Sequence, residues 1–329
     1  MNKLKKIRII DTRYSYQIGV IRAKETRLFD RKKFEQFISS RDAKELVSAL
    51  HDTDYGKYFT SIKSYLQYEE ALLNARIDLY KEIENFIYEE ELIDVLRSQF
   101  DFHNITVLLK GKIADMDFRS FCLPLGTIPI NELESIFKEE SYNRLPVHLR
   151  EAVHEGIETY FTHHHNIQLL NLCIDSKMAE YQTTFTKNDF LIGYYKRWID
   201  VTNVKTILRL FFLNRYKELI QFALLPGGYI EKEEIIEKKL ESVESLDDIY
   251  HRSIYRDLLE QRESFSLVEQ NALLLLLSYM RSVAYESIGV EPVISYLLMK
   301  ENEIRNLRLI FTGKINDVED SILKEKLIL

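Results

Sequence analysis

The residues best suited by type to do chemistry are the histidines and the carboxylates around them. His163, His164 and His165 are consecutive. On a helix they fan out in steps of about 100° and cannot converge on one ion. Glu151, His154, Glu155 and Glu158 stand three and four residues apart, so one helix face would present them all, as a metal site requires. A solvated acidic helix surface has the same spacing, and it is the plainer reading. "HEGIE" from His154 ends in Glu158, where a zinc protease needs a second imidazole. The glycine-lysine pairs at Gly56, Gly111 and Gly313 have His51, Thr106 and Arg308 where a P-loop puts its first glycine. Neither G-x-S-x-G nor C-x-x-C occurs. None of these motifs is therefore expected to supply a catalytic residue, a cofactor site or a metal site.

The elements that must carry these residues are helical throughout. Glycine and proline together number 15 of 329 residues, where average usage of about 12% gives roughly 39. Sheet-rich folds need many more turn residues. The longest clean apolar run, Ala272 to Leu277, falls far short of the roughly 18 residues of a membrane span. Arg8 and Asp11 interrupt the N-terminal apolar stretch, so no secretory signal is expected. With only Cys122 and Cys173 a disulfide framework is absent, and reduced thiols in cytoplasm are expected. Single Trp198 and the many tyrosines read as core and interface aromatics.

An internal repeat organises the chain. "DFHNITVLLKGKI" from Asp101, "DVTNVKTILRLFF" from Asp200 and "EIRNLRLIFTGKI" from Glu303 align on Asn104, Asn203 and Asn306, each with an acid three residues before it. A landmark precedes each: "LFDRKKF" from Leu28, "LPLGTIPINELESIF" from Leu123 and "LPGGYIEKEEIIEKKL" from Leu225, at 76, 80 and 81 residues from the asparagine. The chain therefore reads as an all-α protein of three homologous helical domains: 1–122 (an N-terminal helix plus the first repeat), 123–224 and 225–329. The period is too long for a solenoid of 34- to 47-residue units. In the last copy Gly289 is expected to close one helix and Pro292 to open another. That second helix runs with one apolar face until Gly313, with Asn306 inside it. Asparagine costs helix propensity, so three recurrences call for a structural reason. Asp101, Asn104, Asp200, Asn203, Glu303 and Asn306 form a structural signature, the asparagines at the edge of the buried face with amides able to satisfy an adjoining turn.

Charge is polarised along the sequence. Residues 1–33 hold eleven Lys/Arg against three Asp/Glu, whereas the remainder holds 34 against 49. A basic end could meet an acidic partner or lipid surface, while the overall acidity speaks against nucleic acid as the main partner. An acidic all-α chain also admits an isoprenoid synthase, which holds magnesium diphosphate between aspartates one helical turn apart. "DDIYH" at Asp247 is the nearest match, and His251 replaces the last aspartate.

The order and spacing of "YSYQIGVIRAKETRLFD", "YGKYF", "FDFHNITVLLKGKI", "LPLGTI", "IDVTNVKTILRL", "LPGGYI" and "IGVEPVISYLLMKENEIRNLRLIFTGK" resemble the C subunit of bacterial and archaeal V-type (A/V-type) ATPases, whose eukaryotic counterpart is the d subunit. The resemblance runs from about Tyr14 to Lys314. It implies a non-catalytic, funnel-shaped rotor protein, one copy per complex. Such a rotor part is peripheral to the cytoplasmic side of the cell membrane, seated on the proteolipid ring and receiving the central shaft formed by the D and F subunits. It would pass torque between ATP turnover and proton or sodium movement. A helical scaffold of some other complex would share the fold class but lack those partners.

Overall fold

A computed structural model describes residues 11–329. Four of the eleven cations of the basic segment, Lys3, Lys5, Lys6 and Arg8, lie outside the described residues. Every regular element among the described residues is helical. In chain order the α-helices are α1 (Ser15–Glu25), α2 (Arg31–Ile38), α3 (Ala43–Leu50), α4 (Gly56–Thr60), α5 (Tyr68–Phe86), α6 (Glu90–Ala114), α7 (Ile130–Lys138), α8 (Val147–Thr162), α9 (Ile167–Thr184) and α10 (Asp189–Phe212). They continue as α11 (Tyr216–Ala223), α12 (Lys232–Glu237), α13 (Asp247–Tyr250), α14 (Arg256–Leu259), α15 (Phe265–Arg281), α16 (Glu291–Ile315) and α17 (Asp320–Lys326).

Two compact units are present, one made of the chain up to Tyr88 with Leu277–Leu329, the other of Glu89–Leu276. In the first unit α16 packs along α5 and α1, and α2, α3 and α17 also rest on it. The short helices start where side chains cap them. Asp30 accepts from Lys33 N at the head of α2, and Asp42 accepts from Glu45 N at the head of α3, each meeting one of the amides a helix start leaves unpaired. Phe34, Phe37, Leu46, Leu50, Leu297, Leu307 and Phe311 are fully buried. Phe311 stacks between Phe59 and Tyr68, at 5.2 and 5.0 Å between centroids.

The second unit is built on α6 and α10, with α8 and α9 paired and α9 packed on both long helices. Asn166 and Asn188 cap α9 and α10. The landmarks precede the short helices as expected. α7 and α12 open one residue beyond "LPLGTI" and "LPGGYI", with Glu132, Glu233 and Glu234 in their first turns.

Two expected boundaries differ. Gly289 does not close α15, which ends at Arg281. It turns the chain immediately ahead of α16 with φ of 80°, its N–H donating to Asp11 O at 3.0 Å. Nor does α16 stop at Gly313; it continues to Ile315. The glycine is there for space, because a Cβ at 313 would run into the Leu323 side chain of α17.

Candidate functional site

α6, α10 and α16, of 25, 24 and 25 residues, each carry the acid and the asparagine one turn apart. The sequence pattern puts the asparagines at the edge of the buried face; in the structure all six signature residues are buried, none more than 3% exposed. Each asparagine makes a two-point bond to the backbone of a single residue. Asn104 Nδ2 donates to Leu123 O at 2.9 Å and its Oδ1 accepts from Leu123 N at 2.8 Å. Asn203 does the same with Leu225 at 2.9 and 2.8 Å. Asn306 does so with Ile328 at 2.7 and 3.3 Å, and Asn302 Nδ2 donates to the same carbonyl at 2.9 Å. A side-chain amide carries a donor and an acceptor side by side, so it can satisfy the buried N–H and the buried C=O of one residue together.

One turn earlier the carboxylates grip backbone amides. Asp101 accepts from Thr127 N at 2.9 and 3.0 Å, from Thr127 Oγ1 at 2.9 Å and from Ile128 N at 3.3 Å. Asp200 accepts from Tyr229 N at 3.0 Å, Ile230 N at 3.2 Å and the Tyr255 hydroxyl at 2.6 Å. Glu303 accepts from Phe29 N at 2.7 Å, the Tyr55 hydroxyl at 2.8 Å and Lys300 Nζ. Hydrogen bonds to an ionised group contribute about 1.5–3 kcal/mol each. Gly126 and Gly228 stand next to the gripped amides, and a Cβ on either would collide with the aspartate oxygen beside it. Beside Phe29 the chain carries Leu28, and there the acid is one methylene longer.

The hydrogen bonds join the first two signature helices to the landmark that follows them, 19 residues on for Asn104 and 22 for Asn203, whereas the repeat spacing pairs each asparagine with the landmark before it. The third helix reaches forward to Ile328 and back to Phe29 in the first landmark. Burial pushes the carboxyls of Asp101 and Asp200 above the usual range, against the pull of the N–H and O–H donors they accept from. Burial, with the charge of Glu303 or Asp200 added, pushes the hydroxyls of Tyr55 and Tyr255 well up. Lys300 Nζ lies 4.5 Å from the Tyr55 ring centroid. His148, stacked on Tyr181 at 4.0 Å, is held down to about 4 by burial.

The joints also use residues outside the six-residue signature, among them Tyr55, Tyr255, Lys300, Asn302 and Ile328. Tyr55 and Tyr255 follow their landmarks by 27 and 30 residues, a recurrence that was available to read. Lys300 left only a partial signal, since the equivalent places hold another cation, Arg197, in the second copy but Ser98 in the first.

The candidate chemical groups sit apart from these joints. α8 ends at Thr162, and His164 and His165 lie beyond it in the left-handed region at φ of 56° and 62°. His163 faces Phe222 at 5.1 Å. Glu151, His154, Glu155 and Glu158 are exposed on α8, with Glu155 paired to Lys177 at 2.6 Å. In "DDIYH", Asp247 is bound by Arg262 at 2.9 Å and His251 Nδ1 contacts Asp247 O. Trp198 packs against the cluster of Ala179, Ile199 and Leu225. Among the described residues no group of three or more His, Cys, Asp or Glu could hold an ion, and no helix is long and apolar enough to cross a membrane.

A family model described as "ATP synthase (C/AC39) subunit" matches residues 18–326. The chain is 26% identical to the C subunit of the A-type ATP synthase of Pyrococcus abyssi, over 96% of this chain and 89% of that protein. It is 25% identical to that of Methanocaldococcus jannaschii, over 96% and 86%. With that of Desulfurococcus the identity is 25%, over 95% and 90%.

Proposed function

The chain belongs to the ATP synthase (C/AC39) subunit family, and from that premise we propose that it is the non-catalytic rotor adaptor of a rotary V-type ATPase. In this reading it links the membrane-embedded proteolipid ring to the central shaft formed by the D and F subunits, one copy per complex, on the cytoplasmic side of the cell membrane. It passes torque between the ATP-hydrolysing or ATP-forming head and proton or sodium movement through the ring. Its three homologous helical domains, 1–122, 123–224 and 225–329, supply a broad face for the ring and a socket for the shaft.

The observation that carries the reading is the extent of the family match, which runs over residues 18–326 and not over one motif. The chemistry of the repeated acids supports it. Asp101, Asp200 and Glu303 are buried and engaged by backbone amides and hydroxyls, so their charge serves to join segments of chain. A candidate general acid or base needs instead to reach a substrate.

The test is capture of the tagged protein from detergent-solubilised native membranes, with co-purifying proteins identified by mass. Ring proteolipid together with the D and F subunits is the expected recovery. Capture of neither overturns the proposal.

A further inference from the structure

The three joints share one geometry but differ in how the chain threads them. At the first two, the residue held by asparagine and the amides held by the acid belong to one short loop. Leu123 is followed by Thr127 and Ile128, and Leu225 by Tyr229 and Ile230. If one anchor lets go, the other keeps the loop within a few ångströms, and the bond reforms at high effective concentration. At the third joint the two anchors hold different stretches of chain. Asn306 and Asn302 hold Ile328 and Glu303 holds Phe29, so the acid fastens a different stretch from the asparagines and neither stretch recaptures the other.

We propose that Leu327–Ile328 is a releasable strap on α16, closed by Asn302 and Asn306 and able to open while the Phe29 grip stays shut. The strap is short. Leu327 and Ile328 are buried, at 3% and 2% exposure, and three hydrogen bonds to two asparagines hold the Ile328 backbone. The segment before it has its own fastening: Lys314 Nζ pairs with Asp320 at 2.6 Å and Leu323 fills the space above Gly313. Opening is therefore confined to the strap and leaves α17 seated. It is a local opening at the low end of the protein's stability range, of the kind that amide exchange reads directly. Opening also uncovers two carboxamides on successive turns of α16, arranged to take the backbone of an extended segment.

The test is native-state hydrogen exchange on the full chain, resolved to single amides and corrected for intrinsic rates. The Ile328, Leu123 and Leu225 amides are each referenced to the helix amide beside them, Leu307, Ile105 and Val204. The expected result is exchange at Ile328 at least tenfold faster than at Leu123 and Leu225. A difference below tenfold overturns the strap. Asn306→Ala should then abolish the residual protection of Ile328 and leave Phe29 unchanged within twofold; a matching loss at Phe29 overturns independent release. Should that variant fail to fold, the wild-type comparison decides alone.

Discussion

The joint at Asp200 and the joint at Glu303 solve one problem, a carboxylate placed inside protein, by different means. Asp200 is met by two backbone amides and the Tyr255 hydroxyl, with Gly228 letting the backbone come close. Glu303 is met by one backbone amide, the Tyr55 hydroxyl and a buried lysine. The hydrogen-bond donors named for the first are neutral, with the charge of Lys196 acting from a distance, whereas the second is bonded by a cation. What recurs in the repeat is thus a placement of charge and not one way of offsetting its burial: Lys300 bonds Glu303 directly, whereas Arg197, in the equivalent place of the second copy, donates to the Tyr229 hydroxyl and Ser98 stands in the first.

The largest effect expected from this contrast is at Lys300. Lys300→Met leaves Glu303 buried with two neutral donors, and breaking a buried pair from one side costs about 3–5 kcal/mol. Urea unfolding followed by circular dichroism should show that loss, and adding Glu303→Gln should restore more than half of it. A cost below about 1 kcal/mol, the range of an exposed pair, would mean that dipoles suffice at both joints and would erase the distinction. Of comparable size is Asn203→Ala, which orphans the N–H and C=O of Leu225, at about 1–3 kcal/mol for each buried group left unpaired. The sequence has a single tryptophan, and Trp198 packs against the cluster that includes Leu225, so its emission should report the lowered midpoint. An unmoved transition would show that the asparagine bonds are dispensable at this joint.

The smallest effect is a pH slope that sharpens the comparison. Burial raises the Asp200 carboxyl above its ordinary value of 3.8, so the folded chain keeps this proton to higher pH than the unfolded one. Its contribution to stability is full below 3.8 and declines as pH rises through the raised value, by at most about 1.4 kcal/mol for each pH unit that separates the folded from the unfolded value. Asp200→Asn should flatten that decline in a series of unfolding curves across this range. Identical slopes in variant and wild type would assign the pH dependence elsewhere.

The helical class was legible because scarce glycine and proline leave little else, and α7, α12 and α16 were legible from turn residues and apolar spacing. The recurrence of Asn104, Asn203 and Asn306 was legible too. The segment each one touches was not, since spacing along the chain carries no direction: the landmark 80 residues before Asn203 and the one 22 residues after it are equally regular in sequence. Gly289 and Gly313 misled for a related reason. Both look like helix stops, but one serves a turn of positive φ and the other makes room for Leu323. Packing across distant segments decided each case, and it leaves no local mark.

The three-residue step between acid and asparagine has a mechanical consequence. It sets the two anchors about 4.5 Å apart along the helix axis, so they work as a pair of rivets through one plate. A pull on the Leu123 or Leu225 loop parallel to the helix loads both rivets in shear at once, and the load to fail is the sum of the two. A pull straight away from the helix at one end of the loop peels them in turn, and the load to fail is only that of the first.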